Sequence, residues 1–250
     1  MRRGVLFSLH HNPRTPPPPL PDPTEVSGTE LGKSRNTRRR ILDASRDVLA
    51  AHGYQGFSTI AVAERAGLTR PAMLYHFKSR ADLVRATAQH LVRTRIQAFE
   101  TAMATLESAA RPGDAAVAEA MVDMLWEQRQ GPEFAATVEL LIAARTDCDL
   151  RDLIQPAIDA FDQGRLDISR RALLGASPET AAFEFARDLL RFMMDGMALQ
   201  DWLTVDKDQR LVAAREFLKA LVGSDQGRSF LAAVVAGQLQ GASATPAVSD

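Results

Sequence analysis

The stretch AERAGLTRPAMLYHFKSRADL, residues 63–83, decides the fold that we predict for this chain. Its hydrophobic spacing predicts one short helix that ends near Gly67 and a second from Thr69 to about Lys78. Neither helix is long enough to be stable alone in water, so a small core must hold both. Two short helices joined at an angle by a glycine-containing turn form a helix-turn-helix.

Capping residues support these limits. Ser58 or Thr59 is the predicted N-cap of the first helix, and Thr69 is the predicted N-cap of the second. Pro71 lies in the first turn of the second helix, where its missing N–H removes no helical hydrogen bond. The sequence SRAD at 79–82 is a capping box that opens a further, long helix, predicted to reach about residue 106.

The second helix has two distinct faces. At about 100° per residue, it directs Met73, Leu74 and Phe77 toward a core. The opposite face carries Pro71, Ala72, Tyr75 and His76. These side chains make a low surface that fits a major groove about 12 Å wide. Arg70 lies at the helix start, where base contacts concentrate, and is long enough to reach base edges.

Charge is distributed unevenly along the chain. Residues 33–80 contain ten Lys or Arg and three Asp or Glu, a net charge of +7, whereas residues 81–250 carry a net charge of −8. A basic module joined to an acidic one indicates a polyanionic partner for the first alone. The alternative is a solvated charged face that binds nothing.

Composition predicts an all-α protein. The 250 residues are 46% hydrophobic, residues that favour helices dominate, and every break beyond residue 106 has the sequence of a helix end, which gives nine or ten helices. Pro156 falls inside a helical pattern and should kink or split that helix. Cys148 is the only cysteine, which excludes an internal disulfide and suits a reducing cytoplasm. No apolar run approaches the ~20 residues of a membrane span.

Four segments follow from these patterns. Residues 1–34 form a disordered Pro-rich arm, since seven of the thirteen prolines lie before residue 33. Residues 35–82 form the helix-turn-helix domain. Residues 83–223 form a helical body. Residues 224–250 form a C-terminal helix or a flexible tail.

Residues 41–84 resemble the N-terminal DNA-binding domain of TetR-family transcriptional regulators. The matching residues are Ile41, Ala44, Leu49, Gly53-Tyr54, Gly56-Phe57-Ser58, Ala66-Gly67-Leu68, His76-Phe77 and Ser79-Arg80. The resemblance implies a three-helix head, a linking fourth helix, and a divergent helical body that binds a ligand and dimerises. Leu74 stands where the family usually has a phosphate-binding tyrosine, and the tyrosine here is Tyr75. Pro71 replaces a frequent glycine.

The resemblance and the residue pattern together define three candidate sites. The predicted DNA-binding residues are Arg38, Arg39, Ser58, Thr59, Thr69, Arg70, Pro71, Ala72, Tyr75, His76 and Lys78. The predicted ligand pocket comprises Met121, Met124, Leu125, Trp126, Phe134, Met193 and Met197, with Met194 and Trp202 as further walls and Asp195 and Arg145 as polar groups that could orient a ligand. The predicted dimer interface, on two late helices, comprises Phe183, Leu190, Met194, Leu211, Phe217, Leu218 and Leu221. For the last two sets, ordinary core packing is the alternative.

Catalytic motifs are absent from the sequence, and no two of the five histidines lie at the i, i+4 spacing of metal ligands. Together with the resemblance to TetR-family regulators, this leads us to expect a cytoplasmic repressor with no cofactor, no metal and no membrane contact. It should bind a pseudo-palindromic operator as a homodimer and be released by a small apolar or amphipathic molecule. The alternatives are a helical enzyme that carries a DNA-binding head, and a ligand-independent DNA-binding or interaction module.

Overall fold

The structure, a computed structural model, describes residues 21–25, 31–109, 114–169, 181–203 and 209–242. Across these ranges the chain forms ten α-helices and no strand, as predicted. The helices are α1 (Leu31–Gly56), α2 (Thr59–Arg65), α3 (Arg70–His76), α4 (Arg80–Ala109), α5 (Ala115–Glu127), α6 (Pro132–Ala144), α7 (Cys148–Ser169), α8 (Ala181–Asp201), α9 (Gln209–Gly223) and α10 (Asp225–Ala242).

Helices α1–α3 form the predicted head. Gly53 interrupts the helical backbone of α1 with a φ of 65°, so the main part of α1 ends at the predicted glycine. Gly67, in the turn between α2 and α3, has a φ of 63°. Ile41, Met73 and Phe77 are buried in the core that holds the three helices together.

This core does not stop at residue 82, the predicted domain boundary. It includes Leu83 and Leu91 of α4, Leu140 of α6 and Ile154 of α7. Helix α1 packs on α6, and α4 packs on α7. The head and the nearest part of the body are therefore one continuous packing unit.

A second core lies farther along the body. Phe99 and Met103 of α4 meet Met121 of α5, Met194 of α8 and Leu218 of α9. A small neighbouring cluster joins Phe134, Val138, Ala198 and Trp126. Because α4 reaches from the first core into the second, it is the longest connection between the head and the distal body.

Two sequence predictions need correction. The sequence predicted a kink or a split at Pro156, but helix α7 runs unbroken from Cys148 to Ser169 with Pro156 inside it, so the chain is not split there. The arm is also not wholly disordered, because residues 21–25 form a turn against α1 and α4. There, Asp22 pairs with Arg35 at 3.1 Å and with Arg93 at 3.5 Å. These contacts, together with the start of α1 at residue 31, place ordered structure before residue 35.

Other predictions fall at the edges of the described ranges. Residues 224–250 begin with α10, so the helical alternative is correct up to residue 242. The predicted helix starts at 175–180 and 204–208 lie outside the described residues. In the part of the chain that the structure describes, no helix has the length and hydropathy needed to cross a membrane.

Candidate nucleic-acid interface

Side-chain caps fix the two helices of the helix-turn-helix. The Ser58 hydroxyl oxygen accepts a hydrogen bond from the Ala61 N–H at 3.1 Å. The Thr69 hydroxyl oxygen accepts one from the Ala72 N–H at 3.3 Å. Both predicted N-caps are therefore confirmed, Ser58 being the cap and Thr59 the first residue of α2.

The two faces of α3 lie as the sequence predicts. Met73 and Phe77 are buried, and Leu74 is half-buried against the same core. Tyr75 is 73% exposed. Leu74 therefore does not offer a surface to phosphate, and Tyr75 is the aromatic residue that a nucleic acid could reach.

The exposed side of α3 carries closely associated polar groups. Arg70 is the first residue of the helix and is exposed, as are Pro71 and Ala72 after it. The Lys78 ammonium lies 5.2 Å from the centre of the Tyr75 ring. The rings of Tyr75 and His76 meet edge to face, with 5.3 Å between their centres.

Arg38 has a role that the sequence did not predict. Its Nη1 donates to the His76 carbonyl oxygen at 2.6 Å, and its Nε donates to the Pro23 carbonyl oxygen at 2.8 Å. Its guanidinium carbon lies 4.2 Å from the centre of the Phe77 ring. Arg38 therefore holds the C-terminal end of α3, whereas its neighbour Arg39 is exposed.

Charge near His76 favours its neutral form. Burial lowers the pKa of His76, and the positive charges of Arg38 and Lys78 lower it further. These effects favour the neutral imidazole in the protein without DNA, and its ring can offer a hydrogen bond to DNA.

The predicted pocket residues lie mostly in cores. Met121, Met124 and Leu125 are buried in the second core, where Met193 and Met197 are partly buried. Phe134 is buried, and its ring lies 5.8 Å from that of Trp202. Asp195, predicted to orient a ligand, pairs with Arg129 at 2.7 Å. Arg145 is exposed at the end of α6.

The predicted dimer residues divide into two groups. Leu190, Met194 and Leu218 are buried in the core of one chain, so a second chain cannot reach them and their assignment to the interface is wrong. Leu211 and Leu221 are half-buried, Phe217 is 59% exposed, and the Phe183 side chain lies outside the described residues. Sequence reasoning missed the exposure of large apolar side chains on the last three helices and in the turn after α8: Phe185, Phe192, Leu199, Trp202, Leu203, Val212 and Phe230.

Among the described residues, no group of three or more His, Cys, Asp or Glu side chains is arranged to hold a metal ion.

Comparison with known proteins agrees with this geometry. Residues 41–87 match the family model described as bacterial regulatory proteins, tetR family. An uncharacterized HTH-type transcriptional regulator of Mycobacterium tuberculosis is 29% identical over 176 residues, which cover 70% of this chain and 87% of the relative. The HTH-type transcriptional repressor AcnR of Corynebacterium diphtheriae is 28% identical over 172 residues, which cover 68% and 82%. The solved structure of a TetR-family member from Streptomyces coelicolor is 23% identical and matches with a TM-score of 0.53, covering 73% of this chain and 95% of that one.

Proposed function

We propose that the chain is a TetR-family transcriptional regulator and not an enzyme, and that it acts as a ligand-responsive repressor that binds a pseudo-palindromic operator as a homodimer. The similarity to the repressor AcnR supports repression as the mode of regulation. The proposed effector is a small apolar or amphipathic molecule that enters the body.

The observation that carries the proposal is the fixed outward face of α3. Met73 and Phe77 anchor the helix from below, and Arg38 holds its C-terminal end. Arg70 and Tyr75 are left exposed on this helix, and Thr69 caps its first turn. A rigid short helix with an arginine at its N-terminal end is what reading base edges in a major groove requires.

Dimerisation is proposed for the exposed side of α8 and α9. Phe185, Phe192 and Leu199 recur every seven residues on α8, which places them on one face of that helix. Phe217 is exposed on α9. Exposed apolar side chains repeated along one helix face indicate a protein–protein contact. Two such helices from each of two chains would form a four-helix interface.

Ligand response is proposed to reach the head through α4 and α6. Both helices contact α1 directly. Arg46 of α1 binds Glu133 of α6 at 2.9 Å, and the Glu139 carboxylate of α6 accepts a hydrogen bond from the Tyr54 N–H at 3.4 Å. A shift of α6 would therefore move the head without any change at the DNA surface.

Selection of random double-stranded DNA by the purified full-length protein tests this function. We expect enrichment of an inverted repeat whose half-sites are about 34–36 Å apart along the helix axis, because two recognition helices must reach successive major grooves. Enrichment of single, unpaired sites would contradict the homodimer, and no enrichment at all would contradict operator binding. Release of the selected DNA by a small molecule separates the proposal from a ligand-independent DNA-binding module.

A further inference from the structure

Arginine side chains from four separate elements converge inside the body. The guanidinium carbon of Arg95 (α4) lies 4.3 Å from the centre of the Phe161 ring, and that of Arg165 (α7) lies 5.5 Å from the same ring. Arg95 is also 5.6 Å from the Phe134 ring, which Arg129 approaches at 5.7 Å. The shared rings place three guanidinium groups in one cluster. Arg165 is only 8% exposed and Arg129 only 3%.

A fourth arginine, Arg191 of α8, faces the same cluster: burial lowers the pKa of both Arg129 and Arg165, and the positive charge of Arg191 lowers both further. Arg129 pairs with Asp195 at 2.7 Å, and Arg191 pairs with Asp162 at 3.3 Å.

Two members of the cluster lack a carboxylate of their own. Neither Arg95 nor Arg165 makes an ion pair within 4.0 Å with any residue that the structure describes. Glu133, whose charge reaches Arg95, is already bound to Arg46. The described part of the cluster therefore holds more guanidinium groups than carboxylates.

Hydrogen bonding in the cluster is incomplete as well. The Nε atoms of Arg95 and Arg191 are buried and have no hydrogen-bond partner among the described residues. Burial, followed by repulsion from Arg129, lowers the pKa of Arg95 to about 10, and similar causes lower that of Arg165 to about 9. Folded proteins leave few buried donors unpaired, and an uncompensated buried charge is strongly unfavourable. The cluster thus has the properties of a site whose counter-charge comes from a bound molecule.

We propose that Arg95, Arg165 and Arg191 bind the oxyanion of the effector, a carboxylate or phosphate carried on a small organic molecule. Guanidinium groups suit both anions because they donate two parallel hydrogen bonds. The rest of the molecule is apolar, since the Phe134 ring beside the cluster belongs to an apolar group with Val138 and Ala198. This inference rests on the proposed function, because it names the chemical class of that function's effector.

The position of the site fits a role in release of DNA. Arg129 lies in the turn directly before α6, and Glu133 in the first turn of α6 binds Arg46 of the head. An anion bound beside Arg129 would therefore act within one helical turn of a head contact.

Thermal unfolding of the full-length protein without DNA tests the site. Benzoate, phenyl phosphate and benzyl alcohol share one ring, so they separate a carboxylate, a phosphate and a neutral head group, each at the same ionic strength. We expect a saturable rise in Tm with at least one of the two anions and none with the alcohol, because a ligand that binds only the folded state stabilises it. The larger response of the two anions identifies the head group. Equal responses to all three compounds would overturn the proposal. The absence of a response to both anions would also overturn it, because a carboxylate of the chain itself would then supply the counter-charge.

Variants locate the binding within the cluster. Arg95→Met and Arg165→Met should each weaken anion affinity by roughly tenfold to a hundredfold, the usual effect of losing a charged hydrogen bond. Both should fold, because replacing an unpaired buried charge by an apolar side chain of similar size is often neutral or stabilising. Arg151→Met is the matched control, since Arg151 is exposed on the same helix as Arg165. Unchanged affinity in both cluster variants would refute the assignment.

Release of DNA is measured separately. If the anion binds but the affinity for DNA is unchanged, the cluster is an anion-binding site but not the effector site. Failure to bind any DNA would refute the proposed function, while the thermal measurement would still decide whether the anion binds.

Discussion

Arg70 and Lys78 lie at opposite ends of the recognition helix, and we expect them to contribute to DNA binding in different ways. Arg70 begins α3 and points into solvent, whereas Lys78 follows its end and lies over the Tyr75 ring. Arg70→Ala should weaken specific binding by about 1–3 kcal/mol and relax the preference at one position of each half-site. Lys78→Ala should weaken binding to all sequences alike. Titrations against the selected operator and against single-base variants measure both effects. An equal, sequence-independent loss in both mutants would show that Arg70 is not a base-reading residue.

Arg38 acts on the same helix from inside the protein. Its hydrogen bond to the His76 carbonyl and its contact with Phe77 hold the end of α3, where a helix has unpaired carbonyl oxygens. Arg38→Met should therefore destabilise the protein by about 1–3 kcal/mol in urea unfolding. Arg39→Met is the matched control, because the exposed Arg39 should change stability by less than about 0.5 kcal/mol. Similar stability of the two variants would mean that Arg38 is available for phosphate.

The turn between α2 and α3 sets the angle at which the recognition helix leaves the head. Gly67 adopts a φ of 63°, a backbone conformation that costs about 1–2 kcal/mol for residues with a Cβ atom. Gly67→Ala should lower the free energy of unfolding by that amount even though no atom lies within 4 Å of the added Cβ. Gly67→Asn should lose clearly less, because asparagine tolerates this conformation. Urea unfolding that ranks the two variants in the opposite order would contradict the backbone explanation.

At the level of elements, the sequence predicts what local signals determine. Ser58, Gly67 and Thr69 each act on backbone groups only a few residues away, so the helix-turn-helix could be predicted from the sequence alone. Helix α8 is different, because it is apolar on two sides. Its heptad of Phe185, Phe192 and Leu199 and its buried Leu190 have similar hydrophobicity, and spacing cannot say which side meets the core of the same chain. Only the packing of α5, α9 and α10 against α8 decides that question.

The arginine cluster was beyond sequence reasoning for a related reason. Arg95, Arg129, Arg165 and Arg191 are spread over nearly a hundred positions, and each alone reads as a solvated surface charge. Their convergence, with Arg129 and Arg165 buried and Arg95 and Arg191 half-buried, appears only when four elements pack together.

For the whole molecule, the exposed side of α8 is expected to hold two chains together. Phe192 is 58% exposed in one chain, and a buried aromatic side chain at the centre of an interface typically contributes about 2–4 kcal/mol. Phe192→Glu should therefore raise the dimer dissociation constant by at least about thirtyfold, as measured by analytical ultracentrifugation. Ile142→Glu is the control, because Ile142 is 54% exposed on α6, away from the proposed interface. A dimer that survives Phe192→Glu but not Ile142→Glu would move the interface to α6.

Communication between effector and operator must follow thermodynamic linkage. The head shares its core with α4, α6 and α7, so the body cannot be rearranged near α6 without a change in the position of α1. In a dimer, that change alters the separation of the two recognition helices, which must match half-sites about 34–36 Å apart. A ligand shifts this equilibrium only by its differential affinity for the two states. Coupling of about 1–3 kcal/mol is ordinary, and the selected operator must then weaken ligand binding by the same factor of about 5–150.

Calorimetric titration with and without operator measures that factor. The ligand is the anion, benzoate or phenyl phosphate, that stabilises the protein. A second set of titrations with Glu133→Gln, which removes the charge that binds Arg46, should reduce the factor without abolishing anion binding. Equal anion affinities with and without operator in the unaltered protein would exclude induction by this route, while DNA recognition by α3 would remain intact.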